Sequence, residues 1–98
     1  MPKYLVLFEI DNSKVPIDPK ERGESWGTML DMVKQDIKDG VTLDWGSFLG
    51  ENRGYMVCEG SEMELEKYLQ RVVPFVDFKV YRIMSVEQMA ELAKSLTE

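Results

Sequence analysis

The stretch Tyr4-Leu5-Val6-Leu7-Phe8-Glu9-Ile10 decides the fold, because the strand it predicts is apolar on both faces. Side chains alternate across a strand, so Tyr4, Val6, Phe8 and Ile10 point one way while Leu5 and Leu7 point the other. A one-layer sheet covered by helices on one side normally shows water a polar second face. Here that second face is apolar and needs a cover, and a second copy of the chain is the expected one.

The segments that follow supply the rest of the sheet and its helices. Asn12, Ser13 and Pro16 give a loop, and Asp18-Pro19-Lys20-Glu21 is a helix start, with Asp18 as cap, Pro19 at the first helical position and Glu21 completing a capping box. Trp26, Met29, Leu30, Val33 and Ile37 recur at helical spacing before Gly40 stops the helix. Gly23 and Gly27 inside it suggest a late or broken start, or close packing against something bulky. A second strand is expected over 41–49, with Val41, Leu43 and Trp45 alternating against Thr42 and Asp44. A turn at 50–54 leads into a third strand, Tyr55 to Glu59. Ser61-Glu62-Met63-Glu64 opens a short helix that Pro74 ends, and a fourth strand covers 76–84. Ser85-Val86-Glu87-Gln88 caps a terminal helix carrying a stripe of Val86, Met89, Ala90, Ala93 and Leu96. The order β-α-β-β-α-β is the ferredoxin-like arrangement, α+β in class, with a four-stranded antiparallel sheet, helices on one face and an added C-terminal helix. It places the first and third strands at the centre, where the doubly apolar ones belong.

Ninety-eight residues make a single domain, 1–98. A net charge of −6, dispersed and without a basic stripe, disfavours nucleic acid and anionic membranes as partners. Arg53-Gly54-Tyr55 matches the opening of an RNA-recognition signature, but Val57 and Gly60 stand where stacking aromatics are needed. No apolar run approaches bilayer length and no signal-peptide pattern opens the chain, which predicts the cytoplasm. With no His and one Cys, Cys58, neither a metal nor a haem cofactor is expected, and a Cys–His or Ser-His-Asp site is excluded.

The opening Lys3-Tyr4-Leu5-Val6-Leu7-Phe8-Glu9, the Asp44-Trp45-Gly46 of the second strand, and Phe78-Lys79-Val80-Tyr81 leading to Ser85-Val86-Glu87 resemble the dimeric α/β-barrel superfamily. Its members include muconolactone-isomerase-like proteins, small cofactorless monooxygenases and small uncharacterised domains, which this chain resembles most. The resemblance implies a homodimer with two sheets packed face to face into a barrel. It also implies a small organic ligand held between helices and sheet, with cofactor-independent isomerisation or oxygenation as the chemistry if there is any. The His or His–Asp pair of many such enzymes has no counterpart here.

The candidate ligand-binding residues are Glu9, Trp26, Asp44, Trp45 and Tyr55. A carboxylate among aromatic rings can act as a proton shuttle, so Glu9 or Asp44 would carry any catalysis while Trp26, Trp45 and Tyr55 shape the pocket. The competing expectation is a ligand-sensing or assembly module, with the acids in water at strand ends and both Trp rings filling core. An enclosed pocket holding a carboxylate would favour the enzyme, and a solid core the module.

Overall fold

The computed structural model describes residues 1–98. The elements are β1 (Lys3–Ile10), α1 (Pro19–Lys38), β2 (Thr42–Ser47), β3 (Arg53–Glu59), α2 (Glu62–Gln70), β4 (Val76–Ile83) and α3 (Val86–Leu96), with a single 3₁₀ turn at Asn12–Lys14. The sheet is antiparallel and open, ordered β2-β3-β1-β4, so β1 and β3 are central. This is an α+β architecture compatible with the ferredoxin-like fold.

All three helices start at the predicted cap residue, but of the three expected capping boxes only the last closes. The Asp18 carboxylate accepts from the Glu21 N–H, Ser61 Oγ from the Glu64 N–H, and Ser85 with Gln88 makes a complete capping box. Gly23 and Gly27 correct the expectation attached to them. α1 runs unbroken from Pro19, and a Cβ on either glycine would meet open space. The cap and the half-buried apolar stripe outweigh the two glycines, which cost about 1 kcal/mol each relative to Ala.

One sheet face lies under α1 and α2. From it Tyr4, Val6 and Cys58 join Leu65 and Leu69 of α2 in the core, with Met56 and Phe78 packed against them. Cys58 is buried, its Sγ 4.0 Å from the Thr42 hydroxyl, and burial pushes its thiol pKa up, as befits an inert packing residue. Strand β2 differs from the expected alternation. A bulge at Leu43 brings Thr42 opposite Cys58 and Trp45 opposite Met56, both on the helix side, while Asp44 pairs with Val57 on the far side. The extra residue shifts the phase of the strand, so Thr42 is buried and Leu43 is exposed.

The far face carries Leu5 and Leu7 from β1, Tyr55 and Val57 from β3, and Tyr81 and Ile83 from β4, in register with one another. No helix packs on it: Tyr81 is 52% exposed, and Leu5, Leu7, Tyr55, Val57 and Ile83 are half-buried. Nor is α3 covered, since every one of its residues is exposed.

Candidate functional site

Between helices and sheet the space is nearly filled. The cavity bounded by Phe8, Trp45, Met56, Cys58 and Leu69 measures about 60 Å³, room for water at most, whereas small-molecule sites run to roughly 300–1,000 Å³. Trp45 fills this region by stacking on Phe8, ring centroids 5.5 Å apart. Both rings depend on Gly54. It faces Phe8 across the β1–β3 ladder, and a Cβ there would overlap the Phe8 ring and the Gly46 carbonyl oxygen. Gly46 does the same on the far face, where a Cβ would sit 2.5 Å from the Tyr55 ring. The Arg53-Gly54-Tyr55 and Asp44-Trp45-Gly46 triplets therefore belong to one device, two glycines that let aromatic rings lie flat on opposite faces of the β2–β3 pair.

The one carboxylate near the core is Asp36 of α1, which is 8% exposed. Arg71, just past α2, donates to it at 2.6 Å, to the Tyr68 carbonyl oxygen at 2.9 Å, and lays its guanidinium 4.6 Å from the Tyr68 ring. The pair ties α1 to the end of α2, and its geometry is that of a structural bridge.

A larger cleft opens at the end of the sheet, between α1, the β1–α1 connection and the α2–β4 connection. Its volume is about 490 Å³. Trp26 and Met29 of α1 line one side, Phe75 and Val72 the other, and Lys14, Arg22 and Arg71 stand at its rim. Arg22 donates to the carbonyl oxygens of Pro16 (3.3 Å) and Ile17 (2.9 Å), which fixes the connection, and Lys14 lies over the Phe75 ring at 5.7 Å. The Asp11 N–H donates to the Phe75 carbonyl oxygen, and the Asn52 amide to the Asn12 side chain at 2.8 Å, so the cleft wall is tied to the β2–β3 turn. No Asp or Glu lines the cleft, although Asp11, whose carboxylate accepts from Ser13, stands close enough to Lys14 for the two charges to interact.

The five candidate residues fall into three places. Trp26 lines the cleft and, with Arg22, also borders a shallower groove against the β2–β3 turn. Trp45 lies half-buried on the helix side, stacked on Phe8 and away from the cleft, so the two indoles do not share it. Glu9, Asp44 and Tyr55 are on the far face. Of these, Asp44 and Tyr55 are brought together. The Tyr55 hydroxyl donates to Asp44 at 2.7 Å, while the other Asp44 oxygen accepts from the Trp45 N–H. That hydrogen bond holds the Tyr55 phenol above its ordinary pKa. Glu9 is exposed, opposite Arg53 and Asp77.

Sequence reasoning missed Lys14, Arg22, Asp36, Arg71 and Phe75. The available signal was Arg71-Val72-Val73-Pro74-Phe75, an apolar connection flanked by a cation, which is unusual for a solvated loop. Comparison with protein-family models and with curated proteins finds no match. No helix is long and apolar enough to cross a membrane.

Proposed function

We propose that the protein is a homodimeric binding module for a small organic anion, such as an aromatic carboxylate, taken up in the cleft beside Trp26. The observation that carries this reading is the pairing of aromatic walls with a cationic rim in a chain of net charge −6. Trp26 and Phe75 offer flat apolar surface, and at the rim Arg71 is engaged by Asp36 and Arg22 by the Pro16 and Ile17 carbonyl oxygens, which leaves Lys14 as the cation without a hydrogen-bonded partner. Binding is favoured over catalysis because the cleft lining holds no carboxylate to serve as general base, and Glu9 and Asp44 stand on the other side of the sheet. The filled helix–sheet interior supports the same choice. The homodimer reading rests on the bare apolar face around Leu5 and Leu7.

Fluorescence titration tests the ligand half of this reading. Aromatic carboxylates are expected to change the Trp26 emission saturably, the matching neutral amides not. Lys14→Ala should weaken the carboxylate about tenfold, the order expected for one charge-assisted contact. Trp26→Phe should abolish the signal while Trp45 still reports the fold. Absence of any carboxylate-dependent change at millimolar ligand would contradict the anion cleft.

A further inference from the structure

Helix α3 is well made and unused. Its start is fixed by the Ser85–Gln88 capping box, and its apolar residues form one broad stripe, with Met89, Ala93 and Leu96 at the centre. The opposite side carries Glu87, Glu91 and Lys94. A polar face and an apolar face at this contrast are expected of a helix that packs, yet α3 extends from the end of β4 and touches no core. The molecule is 61 Å in its longest dimension, and its radius of gyration of 16.3 Å exceeds the roughly 13 Å of a compact chain of this length. Its accessible surface, 7136 Å², compares with about 5,800 Å² for a compact monomer of this mass, an excess of roughly 1,400 Å². A standard interface takes about 800 Å² from each partner, so the excess is ample for a stable dimer.

The second orphan surface is the far face of the sheet. Its widest apolar row runs across three strands as Tyr81, Leu5 and Val57. The row is about 10 Å across at a strand spacing near 4.8 Å, and an eleven-residue helix, about 16 Å long, is long enough to cover it.

We propose that α3 is an exchange arm whose apolar stripe packs on the far sheet face of a second copy of this chain, reciprocally, so that one two-fold operation covers both orphan surfaces. This rests on the homodimer reading above and specifies what does the covering: a helix of the partner rather than the partner's sheet.

Cysteine pairing tests the arrangement. Leu5→Cys and Ala93→Cys are prepared as separate chains, with native Cys58 buried and silent. When the two are mixed, allowed to exchange subunits and mildly oxidised, a disulfide-linked pair is expected, with each variant alone staying unlinked. Linking of Leu5→Cys to itself would mean sheet on sheet, and linking of Ala93→Cys to itself helix on helix. Intramolecular linking in the double variant would mean an arm folded on its own sheet, and no linking in the mixture would mean no contact. Any of these overturns the exchange. Sedimentation of Met89→Glu/Leu92→Glu separates this inference from the dimer itself. The exchange predicts folded monomers, dissociating about a hundredfold or more readily than wild type, since two apolar contacts are lost in each arm. A dimer that survives the double substitution removes the arm and leaves the dimer, whereas a wild-type monomer removes both.

Discussion

Gly54→Ala is expected to lower the stability of the protein by about 3 kcal/mol or more, at the upper end of overpacking effects, because the added methyl meets backbone as well as ring. The glycine lies between the Phe8 ring and the Gly46 carbonyl oxygen, and the Trp45 indole is stacked on Phe8 in turn. Relief would require the β2–β3 pair to separate or Phe8 to leave the core, where it is 4% exposed. For a domain of this size such a loss corresponds to a fall of roughly 12–24 °C in Tm. Gly27→Ala is the control of opposite sign. Its Cβ would meet open space on α1, so a gain of about 0.5–1 kcal/mol is expected from helix propensity. Thermal and urea unfolding followed by circular dichroism read both. A Gly54→Ala chain within 1 kcal/mol of wild type would contradict the ring-on-glycine account of the sheet.

Removing either half of the Asp36–Arg71 pair is expected to be costly, and unequally so. Arg71→Met leaves the Asp36 carboxylate, 12% exposed as a side chain, without its partner. Breaking a buried pair by removing one partner costs about 3–5 kcal/mol, and the 39% exposure of Arg71 moves the expectation toward the lower end, about 3 kcal/mol. Asp36→Ala leaves a guanidinium that can turn to water and that keeps its bond to the Tyr68 carbonyl oxygen, so about 1–2 kcal/mol is expected. Denaturant unfolding of the two variants measures the order. Equal costs, or a larger one for Asp36→Ala, would show that Arg71 acts mainly by packing on Tyr68.

The parts of the fold that depend on short-range chemistry were legible in the sequence. The three N-caps, the apolar spacing of α1 and the doubly apolar β1 each signal one structure, and the strand order follows from their sequence. The phase of β2 was not legible, because a bulge at Leu43 adds a residue that no local residue type announces. For the same reason Trp45 could not be assigned to core or cleft until its partner across the ladder, Met56, was known. The cleft was legible only through Trp26. Lys14, Arg71 and Phe75 converge there from connections distant in sequence, and convergence is a property of the tertiary structure alone. Asp36 resembled any helical acid until its burial and its reach to Arg71 were seen. The α3 stripe was visible as a pattern, but a hydrophobic period states that a face will be covered and not what covers it.

The central claim is that the bare sheet face is an interface between copies of this chain, and sedimentation equilibrium at micromolar concentration tests it most directly. The account predicts a species of twice the 11.4 kDa chain mass, converted to monomer by Leu7→Glu, which places a charge in the covered face. A wild-type protein that sediments as a single 11.4 kDa species would contradict it.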